Sequence, residues 1–205
     1  AMSFPALVAT RSEVLDALIE ASAAPDALRR LGVREGLADV VRANTALRTA
    51  PTADAGAVYA GVLFDALGLT DLDAAARRRA DEWIVIISAL WGAIRPDDSI
   101  PAYRLHLCGR LPGLGHLPQV WQPALSAVLP AEAGDGLVVD LRTAEYLTAW
   151  RPQGDVAERT VRLKVVRDLD SGRGAGSQRS KRTGGLVVRR IVTDSLEEAT
   201  AFLQS

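Results

Sequence analysis

Ser88, Arg95, Asp97, Asp98, Tyr103 and Arg104 fall within 17 positions of one another. A second group follows at Asp140, Arg142 and Tyr146. Arginine presents a planar fork of donors that fits a carboxylate or a phosphate. Tyrosine offers a face on which a flat ring can stack. Arg95, Arg104 and Arg142, with Tyr103 and Tyr146, would together make an anion-binding rim with stacking platforms. The competing reading is that these arginines pair with the neighbouring aspartates and only hold a long loop in shape.

The elements that must position these residues can be read from the pattern. Trp83, Ile84, Val85, Ile86 and Ile87 form a continuous apolar, β-branched run, which predicts a buried strand covered on both faces. Residues 136–140 predict a second, ending at Asp140, and the alternation over 160–166 predicts a third. In open α/β sheets ligands gather at the C-terminal strand edge. If the first two strands are parallel neighbours, both residue groups meet on one rim. Upstream, the apolar spacing predicts helices: one capped by Ser12, a short one opened by Pro25, then about 35–48, 54–67 and 72–80. Pro118 opens another, reaching about residue 128. Residues 94–117, rich in Pro and Gly, predict irregular structure, and 143–149 a short helix or turn. Five glycines within 171–185 predict a flexible basic loop, followed by closing helices over 185–192 and 195–203. The sum is a single mixed α/β domain over residues 1–205, with a helical part at about 10–80 and a sheet and cleft part at about 83–192.

Composition narrows the chemistry. The 205 residues carry a formal net charge of −1, which excludes gripping nucleic acid through overall charge. That total conceals a division. Residues 1–150 hold 13 basic and 18 acidic groups, whereas 151–192 hold 11 basic and 4 acidic. Arg162, Arg167, Arg173, Arg179, Lys181, Arg182, Arg189 and Arg190 could neutralise several phosphates, or form a solvated loop. A single cysteine, Cys108, excludes a disulfide framework. His106, Cys108 and His116 lack the spacing and fourth ligand of a usual zinc site. Neither a metal nor a cofactor is expected. No G-x-S-x-G, P-loop or dinucleotide fingerprint is present. Residues 111–115 (Leu-Pro-Gly-Leu-Gly) fit either a DNA-binding hairpin between helices or a plain turn. No apolar run is long enough to span a bilayer, and the first residues lack the pattern of a signal peptide. A soluble intracellular protein is expected.

Residues 88–105 match, at every fixed position, the pattern S-x-L-[YWF]-G-x-[LI]-R-P-x-D-x-[IM]-x-x-Y-R-L. That pattern resembles the signature of the YaaA family of peroxide stress resistance proteins. Asn44, Thr45 and residues 59–65 resemble the family's upstream Y-x-G-x-x-[YF]-[DN] segment. Residues 107–111 and Trp121 resemble the positions after the signature. Residues 139–146 resemble its [DN]-L-[RA]-S-x-[EA]-Y segment. Residues 181–185 with Arg189 resemble its basic K-x-x-[KR]-G-x-x-x-R segment. The resemblance runs from about Phe4 onward, after the family's opening strand, and stops before its closing one. Residues 176–180 replace a stretch that usually carries an aromatic.

The resemblance implies a single-domain α/β fold and a cytoplasmic protein that limits iron and peroxide damage, with DNA binding through a basic cleft in some members. It carries over Arg95, Tyr103, Arg104, Asp140, Arg142, Lys181 and Arg189 as candidate ligand-binding positions. Two functions are therefore expected. One is binding of DNA or a small phosphate-bearing ligand. The other is an enzyme acting on a nucleotide-like or aromatic metabolite, with Asp140 as acid or base and Lys181 or Ser88 as helper.

Overall fold

The computed structural model describes residues 2–163, 176–194 and 198. The architecture is mixed α/β. Its helices are α1 (Val8–Ala23), α2 (Ala27–Leu31), α3 (Ala38–Ala43), α4 (Ala55–Val58), α5 (Val62–Leu67), α6 (Ala74–Trp83), α7 (Leu117–Glu132), α8 (Gly154–Glu158) and α9 (Gly176–Thr193). Its strands are β1 (Thr52–Asp54), β2 (Ile86–Ser88), β3 (Gly92–Ile94), β4 (Ser99–Pro101), β5 (Arg110–Leu111), β6 (Gly115–His116), β7 (Val138–Asp140) and β8 (Thr160–Arg162).

The strands pair two by two. β1 with β4, β2 with β3 and β5 with β6 are antiparallel, and β7 with β8 is parallel. This corrects the expectation of a sheet in which the strand after residue 83 lies parallel to the one ending at Asp140. The chain turns back after Ser88 instead, and Ser88 pairs with Gly92 in a tight hairpin. The strand also starts later than the apolar run. Helix α6 continues through Trp83, which is 40% exposed. Its cap is Asp73, whose carboxylate accepts from the N–H groups of Ala75 and Ala76, and an Arg77–Asp81 pair at i,i+4 supports its middle.

Other boundaries shift for local reasons. Helix α1 begins at Val8, fed by a 3-10 turn from Pro5, so Ser12 lies inside it rather than capping it. The helix expected over 54–67 is two, α4 and α5, interrupted at Gly61, whose φ of +119° no helix accommodates. Helix α7 starts with Pro118 in its first turn and extends to Glu132. Residues 111–115 form the β5–β6 hairpin, with no helix before it, which is the plain-turn reading. Residues 176–185, expected in a loop, are the first half of α9. The rest of the expected loop, the end of the third strand at 164–166 and all but residue 198 of the helix at 195–203 lie outside the described residues.

The main core gathers α1, the β2–β3 hairpin and α7 around the fully buried Leu18, Leu90, Ile94, Trp121 and Leu125. Arg11, buried in α1, donates from Nε to the Trp91 carbonyl at 2.9 Å and from Nη2 to that of Ala93 at 2.6 Å. Trp121 donates to the Ala89 carbonyl at 2.9 Å. These three bonds fix the hairpin that carries Ser88. A smaller core joins Leu67, Leu69, Ala80 and Val192, where α9 lies against α5 and α6.

Candidate functional site

Tyr59 and Tyr103, two of the three tyrosines of the chain, meet at one place, and Tyr146 lies near enough to act on Tyr103 electrostatically. Tyr103 sits at the centre, carried there by the loop after β4. Its hydroxyl lies 2.8 Å from the Tyr59 hydroxyl and 2.8 Å from Ser88 Oγ. Ser88 Oγ also accepts the Trp91 N–H at 3.0 Å, within its own hairpin. Trp91 and Tyr59 each present their rings edge-on to Tyr103, at 6.5 and 6.3 Å, and Phe64 stacks on Tyr59 at 5.5 Å. Burial pushes all three phenols up, Tyr146 to about 12, so each is a proton-bearing donor at neutral pH.

Arg104 follows Tyr103, and its backbone is clamped by Asn44. The Asn44 side chain accepts the Arg104 N–H and donates to the Arg104 carbonyl, both at 2.9 Å. Asn44 is fully buried and also donates to Ser22 Oγ at 3.2 Å. The Arg104 guanidinium acts electrostatically on Tyr146, and its Nε is buried without a hydrogen-bond partner among the described residues. Asn44→Ala would leave two buried backbone groups unpaired. It should cost about 2–3 kcal/mol, measured as a shift in the midpoint of chemical denaturation, and should loosen Arg104.

The other arginines of the expected rim are engaged elsewhere. Arg142 donates from Nε and Nη2 to the two oxygens of Asp140 at 2.9 and 2.8 Å, and from Nη1 to the Trp150 carbonyl at 2.9 Å. Its guanidinium lies over the Trp150 ring at 5.0 Å. Burial pushes the Asp140 carboxyl up, but the bonds from Arg142 outweigh it and hold it below the ordinary range. A carboxyl so held is a weak proton donor at neutral pH. Arg95 bonds to Glu132 and to the Ile84 carbonyl and lies over Phe4. That places its guanidinium in the groove between the N-terminal turn and α7.

Helix α9 supplies the remaining candidates. Arg189 donates to the carbonyls of Leu67 and Gly68 at 2.9 and 3.0 Å, closing the C-terminus of α5. Gly184 meets Leu63 and Leu141, and Gly185 meets Leu63 and Ala66. These contacts, with Arg189 at Leu67, run α9 in the same direction as α5. Arg179, Lys181 and Arg182 are exposed and form no ion pair among the described residues. Arg162, exposed on β8, pairs in register with Asp140 and also lowers its pKa.

The structure thus brings Ser88, Tyr103, Arg104 and Tyr146 together. It pairs Asp140 with Arg142 at the end of β7, leaves Lys181 exposed on α9, and places Arg95 and Arg189 elsewhere. Tyr59, Trp91 and Asn44 complete the site and were not singled out from residue chemistry. Among the described residues no three His, Cys, Asp or Glu side chains form a cluster that could hold a metal ion. Cys108 donates to Glu145 at 2.6 Å, and that bond holds its thiol up at about 11.

The fold and site together define a mixed α/β protein with a buried tyrosine–serine cluster beside an arginine and a basic helix. A family profile described as peroxide stress protein YaaA matches residues 3–204. A UPF0246 protein of Streptomyces coelicolor is 45% identical over 98% of this chain and 78% of its own length. UPF0246 proteins of Corynebacterium efficiens and Corynebacterium glutamicum are 38% and 35% identical, each over 98% of this chain and 79% of their own. The chain belongs to the YaaA (UPF0246) family.

Proposed function

We propose that this is a YaaA-type peroxide stress protein, acting in the cytoplasm to limit iron and peroxide damage, that binds DNA or another phosphate-bearing ligand. The observation that carries the binding reading is the first half of α9, where Arg179, Lys181 and Arg182 stand exposed and have no acidic partner among the described residues. Ten arginines outside α9 among the described residues are ion-paired or bonded to backbone carbonyls, among them Arg11, Arg77 and Arg159. Unpaired cations near a helix N-terminus, where the dipole adds positive potential, suit a phosphate backbone. Family membership supports the stress role. No helix among the described residues is long and apolar enough to cross a membrane.

Fluorescence anisotropy with a short DNA duplex, a bubble and a single strand, repeated across salt, tests this reading. Lys181→Ala with Arg182→Ala should weaken binding and flatten the slope of log K against log salt by about 2. Binding that is absent at low salt, or a slope untouched by the double substitution, would defeat it. The buried hydroxyl cluster favours a second reading, an enzyme acting on a nucleotide-like or aromatic metabolite. Strong thermal stabilisation by a nucleotide, without any DNA binding, would select that one.

A further inference from the structure

Helix α7 turns a face to solvent that carries no charge. Its exposed positions are Gln119, Gln122, Pro123, Ser126, Ala127, Pro130 and Ala131, with Glu132 following at the last residue. They recur every three or four residues and so form one stripe along the helix. Charged residues make up 24% of this chain, and the exposed side of α1, also 16 residues long, carries Glu13, Asp16 and Glu20. A face that meets only water is expected to look like that of α1. Two prolines, Pro123 and Pro130, stand on the α7 stripe. Proline brings no N–H, so the carbonyls of Gln119 and Ser126, four residues earlier, lose their helical donors. The stripe therefore offers spare acceptors, glutamine amides that donate, and small side chains that let another helix approach. Apolar surface flanks it. The 3-10 turn at Pro5–Leu7 lies beside α7, and Phe4, Pro5 and Ala6 line a groove with Ala127, Val128 and Ala131. Val8, next after that turn, is 67% exposed, more than any other large apolar side chain among the described residues.

We propose that this face binds a second copy of the protein, with the two α7 helices packed antiparallel about a twofold axis. Charge selects that occupant in two ways. An uncharged surface is matched by an uncharged surface, and a twofold pair sets the same stripe on both sides. The ends of the helix then complement each other. Arg110, in register with His116, stands at the start of α7, and Asp135 stands three residues beyond its last. Both are exposed, and neither has an ion-pair partner among the described residues. Antiparallel packing brings Arg110 of one copy to the end where the partner's Asp135 stands, and does so twice. It also opposes the two helix dipoles. With the axis at the middle of the stripe, Gln122 comes opposite the turn that holds the partner's Ser126, and its amide can donate to the carbonyl that Pro130 left bare. One helix pair with its flanking turns is a modest interface, which suits a dimer that dissociates on dilution rather than a permanent one.

Sedimentation velocity over about 1–200 μM protein tests this, and wild type should pass from monomer to dimer within that range. Ala127→Arg sets an unmatched guanidinium in the middle of the interface and should keep the protein monomeric throughout. Ala127 is exposed in the monomer, so the thermal midpoint at the lowest concentration should equal that of wild type. If that midpoint falls, Gln122→Arg, at another exposed position of the stripe, takes its place. Arg110→Glu should weaken the dimer several-fold by bringing like charges together, and adding Asp135→Arg should restore it. A wild type that stays monomeric at every concentration, or a dimer that Ala127→Arg leaves unaltered, overturns the proposal. So does a failure of Asp135→Arg to rescue Arg110→Glu, because the antiparallel arrangement requires those two ends to meet.

Discussion

Gly185→Ala should strip helix α9 from its seat on α5. A methyl group at this position would run into the Leu63 carbonyl oxygen and lie 2.9 Å from the Ala66 methyl. The first obstacle is backbone, so no rotamer change relieves it, and α9 must move away from α5. In a helix interior alanine is ordinarily better than glycine by about 1 kcal/mol, so propensity alone predicts stabilisation. Overpacking of this severity should reverse that sign, with a net loss of about 3 kcal/mol or more. Gly184→Ala is the internal comparison. Its methyl would meet Leu141 Cδ2 at 3.1 Å, the end of a side chain that can turn aside. It should be near neutral. Urea denaturation of the two variants checks this, and a Gly185→Ala as stable as wild type would mean that the helices do not approach this closely.

Asp140→Asn should be nearly as damaging, for an electrostatic reason. The Asp140 and Arg142 side chains are 5% and 14% exposed and bonded through both carboxylate oxygens. Removing one member of such a pair leaves the other charge buried and unmatched, at a cost of about 3–5 kcal/mol. The pH dependence has a definite sign. The folded carboxyl titrates below its unfolded value of about 3.9. Its contribution is therefore complete above that value and is lost as pH falls through the lower, folded one. Wild type and variant should differ most at neutral pH and converge as pH drops below about 4. Denaturation midpoints at pH 7 and pH 3 test this, and a gap that stays constant between them would show that the carboxylate charge is not what stabilises the loop.

These two positions show what could and could not be read from the sequence. The signature over residues 88–105 identified the family, because nearly every fixed residue in it has a spatial task. Ser88 and Tyr103 share a hydrogen bond, and Gly92 closes the hairpin. The mixed α/β class followed from the change of apolar period after residue 83. The sheet arrangement was not readable, because a β-branched run says that a strand is buried and not what it pairs with. The fate of each arginine was also invisible. Arg104 and Arg142 look alike in sequence, yet one has its Nε unmet and the other is locked to the aspartate two residues before it. Tyr59 and Asn44 lay inside segments that resembled the family, but nothing in their local sequence tied them to residues 44 and 60 positions away. The glycines of α9 suggested a loop because their conformational freedom was weighed and their small size was not. Here it is the missing side chain that matters.

The α5–α9 contact has a consequence for how the protein is made. Arg189 reaches back 122 positions to Leu67, and Arg79 waits for Val192, 113 positions ahead. A ribosome adding roughly 5–20 residues per second takes several seconds to cross that interval. Throughout it, the face of α5 around Leu63 and Ala66 has been synthesised and its cover has not. The nascent chain therefore emerges with an apolar side that α9 has yet to cover. The interval before α9 is made is when such a chain most needs a chaperone.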